Sequence, residues 1–310
     1  MNTGNTYKNV PFLRAVPRNR RIVYLVLSVV IPMLVPLFAL AGGARPARLD
    51  VIVFDVGEAE SIIIRTPGGK NILIDGGAPP HEFDGVTIQS RTVLPLLTKK
   101  GITRLDTVIL SHSHTDHVAG LVDVLQSLPV GMVYDTGCHN DEDSEYIQCR
   151  EVIRRRQIPC AAIAPDDTLD FGSGVRGEVF GPPPWRRDNQ NDNSVILKVT
   201  YGKVRFLFTG DAQKDEELWV VKKYGERLAA DILKVPHHGS GTSSSAKFIQ
   251  TVQPKIAVLS CGLDNPYGHP HAETLYSYRK KGIRLYRTDY DGDITMTTDG
   301  MSIDVSTDKK

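Results

Sequence analysis

From Leu49 onward, short apolar runs rich in β-branched residues alternate with polar turns, and the chain then settles into a rhythm of strand and helix. The pattern predicts strands over Val51–Asp55, Ser61–Thr66 and Asn71–Asp75, with Pro67-Gly68-Gly69 as a turn, and a helix over Arg91–Lys100. Strand Thr107–Ser111, helix His117–Leu128, strand Gly131–Tyr134, helix Ser144–Arg156 and strand Cys160–Ala164 follow and close a first half. The second half repeats the plan. Strands are predicted at Val175–Phe180, Ser194–Tyr201 and Val204–Thr209, then helix Gln213–Tyr224, strand Asp231–Val235, helix Ser245–Val252, strand Ile256–Ser260, helix Ala272–Lys281 and strand Ile283–Tyr286. A strand-rich opening followed by βα units, twice, predicts two sheets packed face to face with helices outside. Pro182–Asn193, polar and rich in proline and asparagine, reads as a long surface loop.

Ahead of this pattern, Ile22–Ala41 is almost wholly apolar, follows Arg18, Arg20 and Arg21, and ends in Ala39-Leu40-Ala41. Residues 1–45 are therefore expected to be a signal peptide or an uncleaved signal anchor, with the N-terminus in the cytoplasm and residues 46–310 exported. The destination is periplasmic or extracellular, with the inner membrane as partner if the segment stays. Setting residues 1–41 aside changes the charge. The whole chain's +1, less five positive charges at Lys8, Arg14, Arg18, Arg20 and Arg21, leaves −4, which disfavours a protein that coats nucleic acid by charge alone. Four cysteines, Cys138, Cys149, Cys160 and Cys261, fit no zinc-knuckle spacing. In an oxidising compartment Cys138 with Cys149 is the first pairing to expect, and Cys261 reads as a buried small hydrophobe.

The densest chemical signal is Ser111-His-Ser-His-Thr-Asp-His117, directly after an apolar strand. Three imidazoles and a carboxylate in six residues are ligands that zinc and its first-row neighbours accept. Asp75, Asp211 and the His237-His238 pair also follow the ends of apolar strands, so the loops at one edge of the predicted layers should collect all of them. On their own, Gly210-Asp211 and Asp75-Gly76-Gly77 are ordinary turn sequences; the histidine motif gives them weight. His81, His139 and His271 are read as surface imidazoles.

With Asp75, Gly210-Asp211 and the late histidines in order, the chain resembles the metallo-β-lactamase superfamily across roughly residues 50–305. More narrowly it is similar to the hydrolase domain of competence-type (ComEC-like) DNA-uptake proteins. That likeness rests on Phe54-Asp-Val-Gly57, Asn191-Asp-Asn-Ser194, Leu233-Lys-Val-Pro-His-His-Gly-Ser240, Asn265-Pro-Tyr-Gly-His-Pro270 and Arg287-Thr-Asp289. The resemblance implies an α/β, four-layer αββα sandwich with two divalent metal ions between the sheets. By position, His112 and His114 would hold one ion, Asp116 and His117 the other, and Asp211 would bridge. His237 or His238 would complete the second, and Asp75 would orient the loop from behind. Asn191 stands near the place of a histidine found in many relatives; an amide oxygen is a harder, weaker ligand, which brings manganese into competition with zinc. The family's usual glutamine-glycine-aspartate is replaced by Glu58-Ala59-Glu60. The chain also shows no run of further membrane helices, so the channel pore itself is not expected of it.

The resulting expectation is an exported phosphodiesterase or nuclease. Asp116 serves as ligand and base, His237, His238 or His269 supplies a proton, and Asn265, Tyr267 and Ser240 contact a phosphodiester or nucleic-acid substrate. The same ion pair could hydrolyse an amide, ester or lactone, and a metal-stabilised DNA-binding protein without turnover is the alternative of a different class. No dedicated protein partner is inferred.

Overall fold

The computed structural model describes residues 47–139, 143–185 and 188–309. The apolar segment Ile22–Ala41 lies outside them, and among the described residues no helix is long and apolar enough to cross a membrane. In chain order the strands are β1 (Leu49–Val53), β2 (Ile62–Arg65), β3 (Asn71–Ile74), β4 (His81–Phe83), β5 (Val86–Ile88), β6 (Thr107–Ile109), β7 (Val133–Asp135), β8 (Cys160–Ala162) and β9 (Thr168–Gly172). Then come β10 (Val175–Val179), β11 (Leu197–Tyr201), β12 (Val204–Phe208), β13 (Ile232–Lys234), β14 (Ile256–Leu259), β15 (Arg284–Arg287), β16 (Ile294–Thr298) and β17 (Ile303–Thr307). The principal helices are α1 (Leu94–Lys99), α2 (Thr115–Ser127), α3 (Ser144–Arg155), α4 (Lys214–Tyr224), α5 (Ala246–Val252) and α6 (Ala272–Lys280).

One sheet runs β17-β16-β1-β2-β3-β6-β7-β8 and the other β15-β14-β13-β12-β11-β10-β9. Side chains alternate across a strand, and nearly continuous apolar strands are what a sheet buried on both faces requires. Val51, Val53, Ile62, Ile64, Ile72 and Ile74 point inward to meet Leu197, Val199, Phe206 and Phe208 of the facing sheet. Their neighbours Ile52, Ile63, Leu73 and Val108 point outward beneath Leu97 of α1, Leu121 and Val124 of α2, and Val152 of α3. Leu207, Leu233 and Ala257 do the same beneath Val220 of α4, Phe248 of α5 and Tyr278 of α6. The result is the four-layer αββα sandwich.

Three expectations are corrected. The first sheet does not end with the first half: β1 pairs antiparallel with β16, so the β16–β17 hairpin returns from the C-terminus and covers an edge that β1 would otherwise expose. The segment 182–193 is not wholly a surface loop, because Pro182, Pro183 and the turn Gln190–Asn193 are buried. Its polar groups find partners inside: Asp192 Oδ1 accepts from Gln213 N at 3.1 Å and Glu216 N at 3.2 Å. Finally, Cys149 forms no disulfide with Cys138. It is a free thiol inside the α2–α3 interface, 3.5 Å from the Val118 carbonyl, and burial pushes it up to about 12.

Candidate metal centre

The polar loops do collect at one edge. Asp75, the residue after β3, has φ 58° and is fully buried. Its Oδ1 accepts from Ser111 N at 2.8 Å, and its Oδ2 accepts from Ser111 Oγ at 2.6 Å and lies 2.7 Å from His117 Nδ1. A carboxylate there accepts a hydrogen bond from Nδ1–H and leaves His117 Nε2 facing the centre, the usual means of fixing a metal-binding tautomer. The loop after β6 carries His112 and His114, and the first turn of α2 presents Asp116 and His117. Gly120 lets α2 come that close, since a Cβ at this position would lie 1.9 Å from the Gly76 carbonyl oxygen.

From the other sheet, Asp211 follows β12, with its N–H on Ser194 Oγ at 3.0 Å. His237 and His238 follow β13, both at φ 49°, a left-handed turn that swings successive imidazoles to different partners. His238 Nδ1 lies 2.9 Å from the Ser260 carbonyl, so Nε2 points inward, 3.1 Å from Asp116 Oδ2 and 3.5 Å from Asp211 Oδ2. His117 Nε2 lies 3.3 Å from Asp211 Oδ1 and 3.4 Å from Asp116 Oδ2. Ligand atoms of Asp116, His117, Asp211 and His238 all fall within 4.8 Å of one another. Of the two histidines that the sequence left as alternatives, the member in this cluster is His238, with His237 at its edge. His237 Nε2 stands 3.8 Å from Asp211 Oδ2, and its Nδ1 faces Gln213 and Thr242.

The donors fit a divalent cation. Among the described residues, His112 Nε2, His117 Nε2, Asp211 Oδ1 and Asn191 Oδ1 are buried without a hydrogen-bond partner, a costly state unless a ligand completes them. The electrostatics agree. Burial alone would lower His117 and His238, yet the surrounding carboxylates, Asp211 foremost, hold both well above the usual imidazole range. Burial would raise Asp116 and Asp211, yet the imidazoles, His117 foremost, hold both well below the carboxylate range. A concentration of negative charge that holds protons on two imidazoles is a place for a cation, which would displace those protons on binding. His112 is held well below its ordinary value, chiefly by burial and then by His117 and His114, so it is neutral as a ligand must be. Its ring lies 4.2 Å from that of His117 and 4.8 Å from that of His114.

Asp116, Asp211 and His238 of the cluster line a cavity of about 360 Å³, walled further by His114, Asn191, His237, Tyr267 and His269. Glu58, read from sequence only as a departure from the family pattern, is buried here. Its Oε1 lies 2.8 Å from His269 Nδ1 and its Oε2 accepts from Gly262 N at 2.7 Å. His81, taken for a surface imidazole, also lines the cavity. Two residues expected to touch substrate do not face it. Asn265 spends its side chain on the Gly262 and His269 carbonyls and the His269 N–H, and Ser240 Oγ pairs with Thr242 Oγ1 at 2.9 Å. Both shape loops. His271 accepts from Gly241 N at 2.6 Å and does likewise.

Residues 55–263 match the model of the metallo-beta-lactamase superfamily. ComE operon protein 3 of Bacillus subtilis is 30% identical over 79% of this chain and 32% of its own length. Competence protein ComA of Neisseria gonorrhoeae is 32% identical over 78% of this chain and 31% of its own. The chain thus spans about a third of the length of these curated relatives. Among solved structures, Igni18, a metallo hydrolase from Ignicoccus hospitalis, superposes with a TM-score of 0.53 at 13% identity, covering 79% of this chain and 98% of that one. On this match and the fold that accompanies it, the chain belongs to the metallo-beta-lactamase superfamily of hydrolases.

Proposed function

We propose that this chain is a metal-dependent phosphodiesterase, acting as a nuclease outside the cytoplasm. The observation that carries the reading is a buried cluster of His and Asp side chains, several with ligand atoms left unpartnered, opening into a cavity ringed by further imidazoles. Asp116, His117, Asp211 and His238 would hold one ion, and His112, His114 and Asn191, with Asp211 shared, the other. Zinc suits the donors, and the Asn191 oxygen favours manganese as the alternative. Such ions supply a nucleophile at neutral pH and neutralise charge on a phosphoryl group.

This chain's own residues do the rest. Asp75 keeps His117 Nε2 pointed inward, and the Ser260 carbonyl does so for His238. Glu58 holds His269 by Nδ1, which leaves Nε2 toward the cavity, where it can exchange a proton with a leaving oxygen. His237 and His114 line the walls where phosphoryl oxygens would lie. The resemblance to the hydrolase domain of competence-type DNA-uptake proteins supports a nucleic-acid substrate, as does the name of a relative, endoribonuclease ysh1 of Schizosaccharomyces pombe, 26% identical over 48% of this chain and 20% of its own length. Export, and membrane attachment if the segment is retained, rest on the apolar run Ile22–Ala41 behind its arginines.

The test is turnover by the purified chain, with zinc or manganese, of a chromogenic phosphodiester, single-stranded DNA and a chromogenic β-lactam. The first two should be hydrolysed, and Asp116→Ala should abolish it. Hydrolysis of the lactam alone would assign the site to amide chemistry; no turnover of any, with DNA retained, would make it a binding protein.

A further inference from the structure

The β4–β5 hairpin has no packing reason for its apolar tip. Its turn residues Asp84 and Gly85 both have positive φ, at 48° and 74°, as a tight two-residue hairpin requires. Phe83 and Val86 pair across that turn, and each remains 48% exposed, outside all three apolar cores. The neighbour that Phe83 does meet is Tyr267, at 4.9 Å between ring centroids. Tyr267 comes from the loop after β14, in the opposite sheet, and is itself 36% exposed. Tyr267 lines the cavity, as does His81 at the base of the hairpin, so the two rings meet beside it from opposite halves of the sandwich.

They also lead inward. The Tyr267 ring lies 5.6 Å from that of His269 at an angle of 26°, and His269 lies 6.2 Å from His238 at 18°. A file of rings thus runs from the exposed rim to the ligand cluster. The inner walls are polar, with Glu58, Asp116 and Asn191 among them, so an extended acyl chain finds no match there. A molecule with a flat aromatic face at one end and a phosphate at the other matches both ends. Charge points the same way. Beyond residue 41 the chain carries −4, a balance that does not favour grip by charge alone and leaves a larger part to stacking, which tolerates any base.

We propose that Phe83 and Tyr267 form a stacking platform for an unpaired nucleobase beside the phosphodiester at the metal centre, so that the substrate class is single-stranded nucleic acid. A base inside a duplex has both faces covered and cannot use such a platform. The proposal rests on the phosphodiesterase reading and is tested so that the two can fail separately.

Binding of a labelled thymidine oligomer with phosphorothioate linkages, which resist hydrolysis, is measured by fluorescence anisotropy alongside an abasic strand of equal length. The same pair with ordinary linkages is used for turnover. The intact strand should bind the parent protein more tightly than the abasic one, and Phe83→Ala should cut that preference on the order of tenfold. Phe83→Leu, which keeps apolar bulk without a π-face, should fall between them. The intact-to-abasic ratio of kcat/KM should drop in parallel. If both strands are cleaved and bound equally, or Phe83→Ala leaves their ratio intact, the platform is wrong and the phosphodiesterase stands. Base-dependent binding lost in Phe83→Ala, with neither strand ever cleaved, would leave the platform and remove the enzyme. Absence of both overturns both.

Discussion

At the scale of single residues, the site depends on which nitrogen of each imidazole faces the cavity, and each is set by a second group: Asp75 for His117, the Ser260 carbonyl for His238, Glu58 for His269. The His-x-His-x-Asp-His motif was legible because four ligand-type side chains in one turn have no packing explanation. The choice between His237 and His238 was not, since it follows from two consecutive left-handed residues that no local pattern announces. Glu58 was equally hidden, because its partners His269 and Gly262 lie more than two hundred residues away. Its two oxygens serve both at once, whereas glutamine offers one acceptor and one donor. In Glu58→Gln, keeping the bond from Gly262 N would turn an amide N–H toward Nδ1 and reverse the His269 tautomer. We expect kcat on the phosphodiester to fall about tenfold to a hundredfold with little change in KM. Nitrogen-15 chemical shifts of His269 should report the reversed tautomer; an unchanged tautomer with unchanged kcat would contradict the role given to Glu58.

At the scale of elements, helices and central strands followed from periodicity, with boundaries displaced by a few residues. The β16–β17 hairpin did not. Its Ile-Thr-Met-Thr-Thr alternation is short, and its partner β1 lies at the other end of the described chain, a pairing only the tertiary fold can specify. Contact between α2 and the turn after β3 is tighter than sequence suggests. Gly76 N donates to the His117 carbonyl at 2.7 Å and Gly120 N to that of Gly77 at 2.8 Å. Gly120→Ala must push the helix outward, and overpacking of this kind costs about 1–3 kcal/mol, visible as a lower midpoint in thermal unfolding. A midpoint equal to the parent's would mean that the turn yields freely.

Helix α4 is tied to the loop beyond the histidine pair by Glu217, which accepts from Ser244 N at 2.6 Å and Ser245 N at 2.8 Å. Burial pushes its carboxyl up to about 7, against the pull of those serine donors. An acid raised on folding binds its proton first in the native state, so this contribution is full below about pH 4.5 and is lost as pH rises toward 7. Glu217→Gln removes the titration. The variant's melting temperature relative to the parent should therefore climb across that window, and a difference independent of pH would contradict the assignment.

For the whole molecule, the αββα layering was readable from strand hydrophobicity and the order of elements, while the meeting of the layers at one cluster needed coordinates. Asp116 and His117 belong to the first sheet's loops, Asp211 and His238 to the second's, so an ion held by all four joins the two halves. A ligand that binds only the folded chain adds about 2.7 kcal/mol when present at a hundred times its dissociation constant. Chelation should accordingly lower the melting temperature, and restoring zinc or manganese should recover it; a transition indifferent to metal would leave the cluster without that structural part.

Whether donors from both sheets converge to hold two divalent ions is decided by anomalous X-ray scattering from crystals of the purified chain, recorded at the absorption edge of the bound metal. Two peaks are expected, one among Asp116, His117, Asp211 and His238 and a second beside His112, His114 and Asn191. No peak among Asp116, His117, Asp211 and His238 in crystals grown with zinc or manganese would contradict that convergence.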